Sequence, residues 1–197
     1  MWYWIFRTIF IIIAKLLFRL KVEGVENLPR KTNFIVVANH SSFLDTVIIG
    51  AAIPRKIYWV AMRSLYRIFW LRWFFQMIDV LPSGSASERA LNLLWRNKNI
   101  GLFPEGGLTR DGNLREFRRG AALLASKSGR PIVPCAILGT YQAFPAGAKL
   151  PRFVPVKVKI GRPKFILREF GDRIDDVYLQ NGIFKIRNTI KEMLYAG

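Results

Sequence analysis

The chain has 197 residues, 51% hydrophobic and 22% charged, which suits one globular domain with a sizeable core and excludes a disordered or wholly membrane-embedded chain. Lys and Arg number 31 against 13 Asp and Glu, a formal charge of +18, so an anionic partner is expected, either nucleic acid or a negatively charged lipid surface. Aromatic residues make up 14% and lie in aliphatic stretches, as in Trp70-Leu71-Arg72-Trp73-Phe74-Phe75, which favours an anionic membrane surface and leaves no specific nucleic acid expected.

From the N-terminus, residues 2–20 are apolar but interrupted by Arg7, Lys15 and Arg19, so no charge-free run approaches the roughly 20 residues of a membrane span. At about 100° per residue, Arg7, Thr8, Lys15 and Arg19 share an arc of roughly 120°. Trp2, Trp4, Ile5, Phe6, Ile9, Ile12, Ile13, Leu16 and Leu17 cover much of the remainder. The pattern predicts a helix lying in an interface, its basic side toward headgroups and its apolar side among acyl chains. A tilted span with Lys15 and Arg19 snorkelling is the alternative. No basic region precedes the apolar run and no small-residue cleavage site follows it, which argues against a cleaved signal peptide.

Beyond residue 21, short β-branched runs alternate with helical stretches. Strands are predicted at 33–38, 57–61, 78–81, 99–103 and 132–137, and 154–160 alternates apolar residues with Lys as a half-exposed strand near an edge. Ser85-Ala86-Ser87-Glu88 reads as a capping box opening a helix through Trp95. A second helix is predicted from Phe117 to Ser128, ended by Gly129 and Pro131, and a third over 181–195 on Ile183, Ile186, Ile190 and Leu194. The order predicts a single α/β domain with a largely parallel central sheet flanked by helices. The stretch from Tyr58 to Phe75, with Arg63, Arg67 and Arg72, fits either a lipid-facing or acyl-lining helix or a buried one with solvated arginines. Lys157, Lys159, Arg162, Lys164 and Arg168 read as a solvated basic face.

The only histidine, His40, follows one predicted strand, in Asn39-His40-Ser41-Ser42-Phe43-Leu44-Asp45. Phe103-Pro104-Glu105-Gly106-Gly107 follows another, and in open α/β sheets ligands bind outside the carboxyl ends of strands. A hydroxyl attacking a thioester needs a base that takes its proton as the bond forms, and His40 can serve, with Asp45 accepting from its other ring nitrogen. Five residues apart on a straight helix they would diverge, so a break at Ser41-Ser42 is required. By itself the spacing equally fits a strand-end histidine and a first-turn aspartate suiting the helix dipole. Glu105 could orient an acceptor hydroxyl while the Gly106 and Gly107 amides bind an oxyanion or phosphate, or the segment could be a turn with an exposed Glu. Cys135, the single cysteine, reads as a small packed hydrophobe, and no Cys/His set has metal-ligand spacing, so neither metal nor cofactor is expected.

The two motifs together resemble those of the glycerolipid acyltransferase family, which contains bacterial 1-acylglycerol-3-phosphate acyltransferase. The resemblance covers roughly residues 22–165. His40 and Asp45 match its N-H-x4-D motif, Phe103-Pro104-Glu105-Gly106 its F-P-E-G motif, and Ile132-Val133-Pro134 its later V-P block. It implies transfer of an acyl group from acyl-CoA or acyl carrier protein to a lysophospholipid hydroxyl, with His40 as general base, Asp45 its orienter and no acyl-enzyme. It further implies a substrate-binding role for Glu105, Gly106 and Gly107, residues 1–21 as an anchoring helix, residues 22–197 as the acyltransferase domain, and attachment at the inner face of the cytoplasmic membrane. Two departures bear on the acceptor. Gly107 and Leu108 stand where the family has Thr and a phosphate-contacting Arg, and no Arg follows the strand at 78–81 before Arg89. Gly106-Gly107-Leu108-Thr109-Arg110 resembles instead the acyltransferase part of enzymes that reacylate lysophosphatidylethanolamine, leaving Arg110, Arg118 and Arg119 as phosphate contacts. The alternative is a basic membrane-binding module with an inactive acyltransferase fold. A serine hydrolase is disfavoured because no G-x-S-x-G elbow accompanies His40.

Overall fold

The computed structural model describes residues 2–61, 81–82, 86–166 and 176–195. In chain order these form α1 (Trp2–Phe18), β1 (Lys21–Glu23), β2 (Ile35–Ala38), α2 (Leu44–Ala52), β3 (Ile57–Ala61), β4 (Leu81–Pro82) and α3 (Ala86–Trp95). There follow β5 (Asn99–Leu102), α4 (Gly120–Ser128), β6 (Ile132–Leu138), the single-turn α5 (Thr140–Ala143), β7 (Lys157–Ile160) and α6 (Asp176–Tyr195). The strands make a seven-stranded sheet ordered β1-β7-β6-β2-β5-β3-β4. From β6 to β4 every pairing is parallel, while β7 runs antiparallel to β6 and β1 parallel to β7. This is the largely parallel α/β architecture expected.

Strand alternation divides the core into two layers. Val36, Ala38, Val133, Cys135 and Ile137 face one side and pack with Ile48 and Ile49 of α2 and with Ala14 and Phe18 of α1. Ile35, Val37, Ile132 and Ala136 face the other and pack with Leu94 of α3, Ala121 and Ala125 of α4, and Ile183, Ile186 and Ile190 of α6. Because both faces are covered, β2 is buried at every residue, which explains its unbroken apolar run.

Several local expectations shift. The 154–160 segment does lie near an edge, as strand Lys157–Ile160, but one strand in: β1 pairs outside β7, and Lys157 meets Glu23 of β1 at 3.0 Å. Three residues are too few to read as a strand from pattern alone. Helix α4 begins at Gly120 rather than Phe117, because the Arg118 amide is drawn to the Pro104 carbonyl at 2.9 Å. Gly129 ends it as predicted, in the left-handed region at φ 67 with its amide on Ala125 O at 2.8 Å. Ile78 to Val80, Ser85 of the capping box, Arg168 and the aromatic stretch beyond Ala61, with Arg63, Arg67 and Arg72, lie outside the described residues.

Helix α1 lies against α2, with Ala14 and Phe18 buried in the contact. Arg7, expected to face lipid headgroups, instead donates from Nε to Gly50 O (3.1 Å) and from Nη2 to Ala51 O (3.3 Å) and Ile53 O (3.4 Å). These carbonyls at the end of α2 lack helical partners, and the guanidinium satisfies them. Ile9, Ile12, Ile13, Leu16 and Leu17 remain exposed. No described helix is long and apolar enough to cross a membrane.

Candidate active site

At the carboxyl end of β2 the chain leaves the sheet with Asn39, whose side-chain amide continues the ladder: Nδ2 donates to Ile137 O (2.9 Å) and Oδ1 accepts from Ile137 N (2.8 Å). The turn that follows wraps around one oxygen. Asp45 Oδ2 accepts from the amides of Ser41 (2.7 Å) and Ser42 (2.8 Å) and lies 3.0 Å from His40 Nδ1. Ser42 Oγ accepts from the Leu44 amide (3.1 Å) and donates to Phe144 O (2.7 Å), so α2 starts only at Leu44. His40 therefore precedes the helix, and the divergence expected along a straight helix does not arise. Ser41 Oγ pairs with Thr140 Oγ1 at 3.1 Å, so both serines serve the turn.

Two aromatic rings hold the imidazole plane. His40 stacks on Phe103 with centroids 3.9 Å apart at 11°, and Phe103 stacks on Trp59 at 4.8 Å and 9°. The sequence signal for this was Phe103 itself, the first residue of the second motif. Trp59, arriving from β3, carried none.

Glu105 is buried, 3% exposed, and not the exposed turn residue it could have been. Its Oε1 accepts from the His40 amide (2.7 Å) and its Oε2 from the Arg115 amide (3.1 Å). Oε1 thus ties the two motif loops together, reinforced by the Thr109 amide on His40 O at 2.9 Å, while Oε2 closes the 105–115 loop on itself. Burial pushes the Glu105 carboxyl above its ordinary pKa, partly offset by those two backbone bonds. The Gly106 amide is not offered to an oxyanion: it donates to Phe103 O at 3.1 Å and closes the turn. Gly106 is required as glycine by its φ of 74, and a Cβ there would also have to displace the Arg118 guanidinium, 2.7 Å away at Cζ. Gly107 lies beside Arg115, a Cβ there standing 3.7 Å from Nη1.

A cavity of about 320 Å³ opens beside His40, lined by Asn39, Ser41, Glu105 and Thr109, by Asp111 to Leu114, and by Tyr141 and Tyr195 among others. Gly106, Gly107 and Arg110 do not line it, and none of its described lining residues is Lys or Arg. The Arg110 side chain is exposed while its carbonyl accepts from Tyr141 Oη at 2.9 Å, and Arg119 pairs with Asp176 of α6. Asp111 is held well below the usual carboxylate range by the Thr109 hydroxyl and then by Asn113. Sequence reading missed Tyr141 and Arg187. The latter reaches from α6 to the carbonyls of Arg115 (3.0 Å) and Leu114 (3.3 Å), clamping the far end of the loop. Cys135 is buried away from solvent, and burial raises its thiol pKa, which leaves it inert.

Residues 19–138 match the acyltransferase family profile. The chain is 30% identical over 150 residues to a 1-acyl-sn-glycerol-3-phosphate acyltransferase of Bacillus subtilis, covering 73% of this chain and 72% of that protein. It is 29% identical over 141 residues to a chloroplastic 1-acyl-sn-glycerol-3-phosphate acyltransferase of Arabidopsis thaliana, spanning 67% of this chain but only 39% of that longer protein. Its fold is similar to the crystal structure of the 1-acyl-sn-glycerophosphate acyltransferase of Thermotoga maritima, with TM-score 0.77, 25% identity, and 97% and 80% of the two chains covered.

Proposed function

This chain belongs to the acyltransferase family, and from that membership we propose that it moves a fatty acyl group from acyl-CoA or acyl carrier protein to the free hydroxyl of a lysophospholipid such as 1-acylglycerol-3-phosphate. The observation that carries the reading is the bond between His40 Nδ1 and the wholly buried Asp45. With a proton on Nδ1 donated to Asp45, Nε2 is left as the basic nitrogen. It takes the hydroxyl proton as the acceptor oxygen bonds to the thioester carbonyl carbon. The tetrahedral intermediate then expels the thiolate, which takes that proton from the imidazolium, giving ester and thiol. Asp45 stabilises the imidazolium while it exists, and the Phe103 and Trp59 rings keep its plane fixed.

Glu105 acts as a positioning residue, because both its oxygens are engaged by backbone amides. Arg118 and Arg115, beside Gly106 and Gly107 and outside the lining of the His40 cavity, meet an acceptor phosphate that projects from it, in place of the arginine replaced by Leu108. The acceptor need not be lysophosphatidic acid. Residues 1–21 attach the acyltransferase domain, residues 22–197, to the inner face of the cytoplasmic membrane through the exposed Ile9, Ile12, Ile13, Leu16 and Leu17.

The test is purified protein incubated with labelled acyl-CoA and acyl carrier protein across a lysophospholipid panel, with His40→Ala alongside. Label in one diacyl product that vanishes in the variant supports the chemistry and names the acceptor. Absence of transfer to every acceptor, with folding and vesicle binding intact, sinks it and leaves an inactive membrane-binding module.

A further inference from the structure

The loop between α5 and β7 exposes large apolar side chains over most of their surface. Leu150 is 79% exposed and Phe153 65%, and they are interleaved with exposed Lys149 and Arg152. The loop is nonetheless anchored. Arg152 N donates to Ala143 O (2.7 Å), Val156 N donates to Phe18 O (2.8 Å), and the Phe153 ring lies 6.1 Å from the Phe18 ring at the end of α1. Its first residue, Phe144, accepts the Ser42 hydroxyl from the His40 turn. The register sets Lys157 of β7 opposite Leu138, the carboxyl end of β6, so the loop projects from the end of the sheet that carries His40.

The charge around it is one-sided. Val156, at the end of the loop, bonds the backbone of Phe18 and Lys21 on either side of Arg19, which brings the basic α1–β1 junction to the same end, while Glu23 is already paired with Lys157. Basic groups alternating with exposed apolar tips suit an anionic bilayer, where tips enter the acyl region and cations meet phosphates. A folded acidic partner would be met by the charges alone and would leave the tips in water.

We propose that residues 149–153 form a second lipid-binding element: Leu150 and Phe153 insert into an anionic membrane surface while Lys149 and Arg152 bind its headgroup phosphates, setting the His40 end of the sheet against the bilayer. The choice of lipid rests on the attachment through α1 proposed above, and continuity through the Phe153–Phe18 contact links the two.

Because Cys135 is fully buried, a Leu150→Cys variant of the full chain takes an environment-sensitive fluorophore selectively. Lys127→Cys, on α4 over the opposite face of the sheet, is the control. With phosphatidylcholine vesicles containing phosphatidylglycerol, the label at 150 shifts to the blue and brightens while that at 127 does not. Leu150→Ser/Phe153→Ser weakens cosedimentation by roughly tenfold or more, and Lys149→Gln/Arg152→Gln does so by a similar factor. Water-like emission from position 150 on vesicles that still bind the chain overturns the loop and leaves α1 as the sole attachment. A response to acidic acyl carrier protein in place of vesicles overturns it too, assigning the loop to the donor. Failure of the chain to bind any vesicle overturns both loop and α1, whereas the acyl-transfer reading is scored separately by turnover on detergent-dispersed substrate.

Discussion

Asp45 has no solvent exposure, yet its Oδ2 gathers the amides of Ser41 and Ser42 and the His40 ring. Two jobs meet on one oxygen: shaping the turn and orienting the imidazole. Asp45→Asn can still offer an oxygen to the three N–H groups but no longer stabilises an imidazolium. Its turnover is expected to fall by roughly 10²–10⁴-fold, with KM little changed and the fold retained, as steady-state kinetics and circular dichroism will check. Glu105 differs because it holds backbone. Glu105→Gln turns one acceptor into an N–H facing an amide N–H, an expected loss of about 1–3 kcal/mol in urea unfolding. Its pH signature has a definite sign. The folded carboxyl is raised above the ordinary 4.5, so the folded state binds the proton more tightly than the unfolded one. The stability associated with this group is greatest below that ordinary value and is lost as pH rises through the folded pKa. Wild type minus Glu105→Gln is expected to show that decline; a flat difference across the window would refute it.

At the scale of elements, α1 has two distinct faces. Its inner face carries Arg7, Ala14 and Phe18 and packs on α2, while Ile12 and Leu16 point outward at 52% and 74% exposure. Two substitutions should therefore separate. Arg7→Met strips three carbonyls at the end of α2 of their donor and is expected to cost about 1–2 kcal/mol of stability. Leu16→Asp should change the melting midpoint far less, because the side chain is mostly exposed, but lower the fraction that cosediments with vesicles. Equal loss of stability in both would mean that α1 has no free face.

For the whole molecule, the two core layers hold the sheet from both sides, and among the described residues no Lys or Arg is buried, in a chain of formal charge +18. A surface so basic steers toward anionic interfaces, and the attraction is screened within about 8 Å at physiological salt. Vesicle association is expected to weaken as salt is raised and to persist in part at high salt, the remainder being the apolar contribution of α1 and the 149–153 loop. Complete loss at high salt would assign the binding to charge alone.

The sequence by itself determined the fold class, most of the strand and helix positions, and the family, because periodicity and short motifs are local. It could say that His40 and Asp45 would meet only if the chain turned between them. Only the tertiary structure decided how the turn closes, that Glu105 is buried between two amides instead of exposed, and that the Gly106 amide is already engaged. The same holds for Trp59, Tyr141 and Arg187, which reach the site from β3, α5 and α6. Arg7 is drawn to the end of α2, and β1 covers the outer side of β7, for one physical reason. A residue's surroundings depend on which distant element meets it, and no window along the chain contains both partners.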